Sequence, residues 1–333
     1  MHWLERKWYR ITPWHGVLLP LALIFLLLST LRRALYRYGV LHSEKLPVPV
    51  IIVGNITVGG SGKTPLTLWL AQQLISAGHR PGIISRGFGG SNTAPRQVHP
   101  DDSADETGDE PLLMAQRKLC PVWIGRDRAA AGRALLAAHP ECDLLISDDG
   151  LQHYRLQRDA EIVVVDGARL FGNNLPLPAG PLRELRARLK RADAVVINGG
   201  AARLGIQHPS FSDHQYTMQL EGTVFHNLHD PALTRQADDF QGMKLRAIAG
   251  IGHPQRFFVQ LAALGLRPRC APFPDHYRYT PDDLNDADAD ATLMTEKDAV
   301  KCSPFADAKC WALRVDAQVD PALIGFILAR INR

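Results

Sequence analysis

Cysteine is scarce in this chain. Among 333 residues there are five, Cys120, Cys142, Cys270, Cys302 and Cys310, an odd number without a C-x-x-C pair. A disulfide framework and a thiolate zinc site are therefore excluded as organising devices, and a reducing compartment fits. The general expectation for each is a free, buried thiol. Internal repeats and low-complexity tracts are also missing. Hydrophobic content of 46% with 22% charged residues excludes a disordered, collagen-like or coiled-coil chain. A basic surface is lacking as well: of the formal charge of +4, residues 1–45 carry +5, from seven Lys/Arg against two acids, which leaves the body at −1. Positive charge is not spread over a folded face, so nucleic acid is not an expected partner.

Charge is absent altogether from residues 11–31, ITPWHGVLLPLALIFLLLSTL. As a helix this run would extend about 31 Å, close to the hydrocarbon thickness of a bilayer. Trp3, Trp8 and Tyr9 precede it and Trp14 stands near its start, Tyr36 and Tyr38 follow it, and Arg32, Arg33 and Arg37 lie just beyond. Aromatic rings favour the headgroup level and arginines meet lipid phosphates there. A signal peptide would need a small-residue cleavage site, which is lacking. A core helix would leave the flanks without a cause, so residues 1–40 read as a membrane anchor. Pro20 interrupts the run, and spanning the bilayer or lying in one leaflet both stay open.

From residue 47 short apolar runs alternate with helical patterns, the signature of an α/β protein with a mostly parallel sheet. The runs are 48–55, 80–87, 120–125, 142–149, 160–167 and 192–199, with helices expected over 65–78 and 129–140. The pattern loosens after Gly199 and resumes at 244–250, 255–265, 291–301 and 310–316. This predicts a larger domain over 41–210 and a smaller α/β domain over 211–333 that closes a cleft against it.

The sharpest local signal joins the strand VIIVGN to the turn ITVGGSGKTP and a helix. Gly59, Gly60 and Gly62 allow backbone N–H groups to turn inward around phosphate oxygens, and the helix dipole faces the same anion. Thr57, Val58 and Ser61 complete the nucleotide-binding loop. Lys63 can reach the β- and γ-phosphates and Thr64 offers a hydroxyl to Mg²⁺. The strict phosphate-loop pattern has glycine where this chain has Thr57. Asp148 and Asp149 end the run LLIS, where a metal-binding acid belongs, although a DDG turn alone is as often a plain turn. A P-loop NTPase-like core with a site for a nucleoside triphosphate and Mg²⁺ follows, on the cytoplasmic side of the membrane where ATP is. A membrane-tethered GTPase or regulatory ATPase is the rival, but neither NGGA (198–201) nor TEKD (295–298) fits the guanine motif N-K-x-D. A scaffold with a degenerate loop is disfavoured by intact Lys63, Thr64 and Asp149.

Nearly the whole chain resembles the lipid A 4′-kinases of Gram-negative bacteria. The resemblance rests on VGNITVGGSGKTP (53–65), SRGFGG (85–90), GDEP (108–111), DDGLQH (148–153), DGARLFGNNLPLPAGPLRE (166–184), IGHPQRFF (251–258), PDHYRY (274–279) and TEKDAVK (295–301). It implies transfer of the ATP γ-phosphoryl to the 4′-hydroxyl of a tetraacylated glucosamine disaccharide 1-phosphate, at the inner membrane. It also implies that Asp109 accepts the hydroxyl proton while His276 tunes and orients it. Glu110, Gln152, His153 and Glu184 are implied near metal and phosphates, Glu184 as a metal ligand, and Arg86 and Arg183 as contacts to anionic substrate. Without the resemblance, Asp109 reads as part of a solvated acidic loop, His276 as a surface histidine and Glu184 as part of a solvated helix face. A monomer is expected.

Overall fold

A computed structural model describes residues 8–9, 12–91, 94–199 and 211–332. The first helix, α1 (Trp14–Arg37), carries the apolar run. Only His15 and Ala22 on it are buried, whereas Val17, Leu23, Leu27 and Leu28 are each more than half exposed. With a mean hydropathy of 2.0 it is long and apolar enough to cross a membrane. Its far end is tied to the body. Arg33 donates to Glu184 at 3.3 Å, and the Tyr36 and Tyr154 rings lie 6.2 Å apart.

The body begins with β1 (Val50–Gly54), α2 (Lys63–Ser76) and β2 (Pro81–Ser85). The edge strand β3 (Arg96–Val98), the short α3 (Ala104–Thr107), α4 (Asp109–Gln116) and β4 (Val122–Ile124) follow. Then come α5 (Arg128–Ala138), β5 (Leu144–Asp148), β6 (Ala160–Asp166) and β7 (Ala194–Asn198). These strands join β8 (Gln215–Glu221) and β15 (Asp316–Val319) in one nine-stranded sheet, ordered β15-β8-β7-β6-β1-β5-β2-β4-β3. The pairs from β8 to β4 are parallel; β15 and β3 are antiparallel edges. Every residue of β1, β2, β5, β6 and β7 is buried. That is why these strands read as unbroken apolar runs: both faces are covered. Ile51, Ile83 and Ile146 pack on one face with Leu66 and Leu70 of α2. Ile52, Ile84 and Leu145 pack on the other with Leu135 of α5.

The second sheet is built from β9 (Val224–Asn227), β10 (Thr234–Gln236), β11 (Leu245–Ala249), β12 (Arg269–Pro272), β13 (Ala291–Thr295) and β14 (Cys310–Leu313). Its order is β10-β9-β14-β13-β11-β12. Two helices in it concern the site, α6 (Pro254–Ala263) and α8 (Glu296–Cys302); the single turn α7 (Pro281–Leu284) lies between them. Phe225, Phe240, Trp311, Leu261 and Leu293 form its core.

The sheets do not part at residue 210. The chain extends the larger sheet through β8, crosses near Gly222, and returns near Val315 to β15 and to α9 (Ala322–Ile331). A Cβ at Gly222 would lie 2.0 Å from the Arg314 carbonyl oxygen, so the two crossing strands run backbone to backbone. The apolar-run reading overlooked β8 because its residues alternate between the core and solvent. The cysteines depart from expectation in part: Cys142, Cys302 and Cys310 are buried, Cys120 is half-buried and Cys270 is exposed.

Candidate active site

The carboxyl ends of parallel strands gather the polar residues, as in other open α/β sheets. Register puts Val53 beside Asp148, so the glycine-rich turn after β1 opens next to the acidic pair after β5. Gly59 and Gly62 hold φ of 99° and 95°, a region that side-chain-bearing residues avoid. Thr57 is not among the positive-φ residues. It makes an extended bridge to Leu182 while Val58 N–H donates to Pro181 O at 2.8 Å. Position 57 therefore has no need of glycine.

Side chains from neighbouring strand ends brace the loop. Asn55 donates to Ser61 Oγ at 3.1 Å, and Asn198, ending β7, donates to Ser61 O at 2.8 Å. Arg256 of α6 in turn donates to Asn198 Oδ1 at 2.6 Å. Arg169, paired with Asp166 at 2.8 Å, donates to the Gly60 and Gly252 carbonyls. A Cβ on Gly252 would come within 2.8 Å of Gly60 N, so the second sheet's loop presses on the phosphate loop.

Lys63 opens α2 with its ammonium 3.5 Å from Asp149. Arg183 reaches both Asp149 oxygens at 3.1 Å. Burial alone would raise the Asp149 pKa, but Lys63 and Arg183 hold the carboxyl far below the usual range. Asp148 differs. Burial, and then the charge of Glu110, push its pKa up, with Lys63 opposing. Thr67 donates to Asp148 Oδ1 at 3.2 Å, while Asp148 Oδ2 is buried without a hydrogen-bond partner. A buried carboxylate oxygen left over near the Lys63 ammonium fits a divalent cation. Among the described residues no cluster of three or more His, Cys, Asp or Glu is preassembled as a metal cage. A Mg²⁺ held largely through substrate phosphates needs none.

Asp109 and His276 meet across the two sheets. Asp109 begins α4 and is buried, against the solvated-loop expectation. His276 Nδ1 lies 2.9 Å from Asp109 Oδ2. Gly108, at φ 87°, lets the chain pass so close to Phe88 that a Cβ would fall 2.5 Å from the Phe88 carbonyl. The Phe88 ring in turn leans on the His276 ring at 5.0 Å. Burial would raise the Asp109 pKa, but the His276 hydrogen bond and the Lys297 charge hold it down. His276 shows the mirror case: burial would lower its pKa, and the bond to Asp109 outweighs that and raises it.

The remaining expected residues divide. Gln152 donates to both Asn55 O at 3.0 Å and Glu184 Oε1 at 2.9 Å. Glu184 also accepts from Tyr154 at 2.8 Å and pairs with Arg33 and Arg188. Both its oxygens are engaged at the root of α1, so it is not presented as an open metal ligand; Gln152 is its link to the loop. His153 accepts from Arg128 N–H at 3.2 Å, and burial followed by the Arg128 charge pushes its pKa down to about 4. Glu110 pairs with Lys297 at 2.9 Å. Arg86 stands exposed at the end of β2.

Sequence reasoning missed Asn55, Arg128, Arg169, Asn198, Arg256 and Lys297. A usable signal existed for two of them: Asn55 and Asn198 each end an apolar strand, where a polar side chain faces the site. Arg128 is buried, its pKa pushed down to about 10 by burial, with Asp149 opposing. Nothing local marked it.

A loop of this build holds phosphates, with a lysine and an acidic pair beside it and a second sheet closing over it. The class that fold and site define is that of phosphate-loop kinases. The family model described as Tetraacyldisaccharide-1-P 4'-kinase matches residues 14–332, and the chain belongs to that family. A Tetraacyldisaccharide 4'-kinase of Methylobacillus flagellatus is 50% identical over 331 residues, covering 99% of this chain and 96% of that one. One from Azoarcus sp. (strain BH72) is 51% identical over 325 residues, covering 98% and 94%. Among solved structures, an LpxK from Aquifex aeolicus described as an "apo" form in complex with ATP superposes with a TM-score of 0.80. It shares 31% identity and covers 95% of this chain and 99% of its own.

Proposed function

We propose that the enzyme transfers the γ-phosphoryl of ATP to the 4′-hydroxyl of a tetraacylated glucosamine disaccharide 1-phosphate, giving lipid IVA for lipid A biosynthesis. The observation that carries this reading is the 2.9 Å contact between Asp109 and His276 beside the phosphate loop. A switch GTPase has no use for a buried carboxylate–imidazole pair; transfer to an alcohol does. Asp109 takes the hydroxyl proton as the oxygen attacks the γ-phosphorus, and the bond to the β-phosphate oxygen breaks to release ADP. His276 fixes the carboxylate and stabilises its charge. Lys63 and the amides of residues 59–64 hold the phosphates. Thr64 and Asp148, with Asp149 beside them, would hold Mg²⁺, which neutralises charge on the phosphate oxygens when bound. Arg183 orients Asp149, and Arg86 faces outward as a contact for anionic substrate.

The exposed apolar face of α1 supports anchoring at the inner membrane with the catalytic body in the cytoplasm. The acceptor carries four acyl chains, so bringing the enzyme to the bilayer removes the need to extract it. One chain carries both halves of the Asp109–His276 pair, so a monomer suffices. Transfer of labelled γ-phosphate to the acceptor in detergent tests the reading, with GTP and Lys63→Ala in parallel. A labelled lipid that depends on ATP and Lys63 is expected. Hydrolysis without lipid product, or preference for GTP, would favour the switch protein instead.

A further inference from the structure

The Asp109–His276 pair spans two sheets, and the charges that join α4 to α8 are arranged to align it. Lys297, the second residue of α8, places its ammonium 2.9 Å from Glu110, 3.4 Å from Asp275 and 3.9 Å from Asp109. It is nearly enclosed, and although burial would lower its pKa, the charges of Glu110, Asp109 and Asp275 raise it, so it stays an ammonium. Beside it Glu296 takes Arg117, at the end of α4, at 2.7 Å. Each side presents an acid before a base in chain order, Glu296 and Lys297 on α8 and Glu110 and Arg117 on and just past α4, and the two pair crosswise, Glu296 with Arg117 and Lys297 with Glu110. A slip of either helix would set like charges together, so the two ion pairs specify one register.

The same ammonium also controls where His276 sits. Asp275, one of its three carboxylates, accepts from the His276 backbone N–H at 3.1 Å. His276 itself holds φ 56°, a conformation disfavoured for a residue with a side chain. Lys297 thus grips the proton acceptor on one side and the turn that presents its imidazole on the other. The groups facing Asp109 are His276, Lys297 and Lys301 as cations and Glu110 and Asp275 as anions. Without Lys297, two cations would face two anions, and one of those cations, Lys301, is already paired with Asp298 at 3.0 Å.

We infer that Lys297 is a positioning residue for phosphoryl transfer: it holds Asp109, and through Asp275 the His276 turn, in the one register that lets the acid accept the proton. This deepens the kinase reading proposed above and rests on it. The phosphate loop keeps its own braces, so loss of Lys297 strikes the chemical step rather than nucleotide binding.

The test uses the full chain in detergent with ATP and the lipid acceptor, comparing wild type, Asp109→Asn, Lys297→Met and Lys297→Arg. Lys297→Met should lower kcat about 10- to 100-fold, the scale on which misplaced acid–base groups act. Its KM for ATP should stay within about threefold, because ground-state contacts to the nucleotide are retained. The acid limb of its kcat–pH profile should move up by about one unit, as expected when a carboxylate loses a neighbouring cation. Lys297→Arg should restore most of the rate. Lys297→Gln keeps a donor for Glu110 should the methionine variant fold poorly, and carries the same expectation. Unchanged kcat and pH limb in the neutral variants would overturn the inference, as would a rise in KM for ATP with kcat intact. Absence of lipid product from wild type would instead overturn the kinase reading.

Discussion

The phosphate loop and the Asp109–His276 pair are two halves of one site, built by opposite means. The loop is contiguous: thirteen residues from Val53 to Pro65, held mainly by backbone geometry and braced by Asn55 and Asn198. The pair joins residues 167 positions apart through side chains on different sheets. A contiguous, backbone-built site is specified by turn chemistry and survives drift elsewhere in the chain. A long-range pair is only as good as the interface that aligns it. In the proposed mechanism the first holds the nucleotide's phosphates and the second accepts the proton of the acceptor hydroxyl.

Mutations can break the two halves separately. Lys63→Ala should reduce turnover most, by about 10³-fold or more, because a preorganised cation facing the transferring phosphoryl is lost; steady-state transfer assays would measure it. Asp109→Asn should lower kcat by about 10²- to 10⁴-fold while leaving the KM for ATP nearly unchanged. Nucleotide affinity falling in parallel would mean that the halves are not separable. Asn198→Ala should act on the other side of the comparison. It removes the donor to Ser61 O and the partner of Arg256, and the KM for ATP should rise about 10-fold, with kcat less affected.

A pH effect sharpens the contrast. The folded-state pKa of His276 is raised above its unfolded value. Its contribution to stability is therefore fully present below the ordinary histidine pKa and is lost as pH rises through the folded one. Asp109, whose pKa is lowered, contributes above the ordinary aspartate pKa and loses that contribution as pH falls through the depressed value. Between these limits the ion pair stands. Melting temperatures should accordingly drop more between pH 6 and 9 for wild type than for His276→Asn, and parallel curves would contradict the assignment. The smallest effect belongs to α1: removing residues 1–40 should leave ATP turnover on detergent-dispersed acceptor within about 10-fold, while membrane association in flotation assays is lost.

The difference between the two halves also explains what could be read in advance. Strands β1, β2 and β4–β7 and the loop after β1 were legible, because central parallel strands are apolar throughout and glycine-rich turns have local causes. The edge strands β3, β10 and β15 are short, and β8 has solvent-facing Thr217 and Gln219, so no apolar run marks them. Nothing in the apolar pattern therefore marked that the larger sheet continues past residue 210 into β8 and takes in β15. Asp109 carried no local sign of burial among the acids of 101–110. Only resemblance to a family pointed to it; Lys297 lies in the motif TEKDAVK, but its partners are distant in sequence and only the fold supplies them. Glu184 went the other way: expected at the metal, its oxygens are taken by Arg33, Arg188, Tyr154 and Gln152 at the base of α1.

Single-turnover transfer by Asp109→Asn, preloaded with labelled ATP and mixed with tetraacyl disaccharide 1-phosphate, is the most direct test of a site divided between binding and proton acceptance. The account predicts that the variant binds ATP as wild type does and forms labelled lipid at least about 10²-fold more slowly. Transfer at the wild-type rate would contradict it, because the buried pair would then have no part in the chemistry.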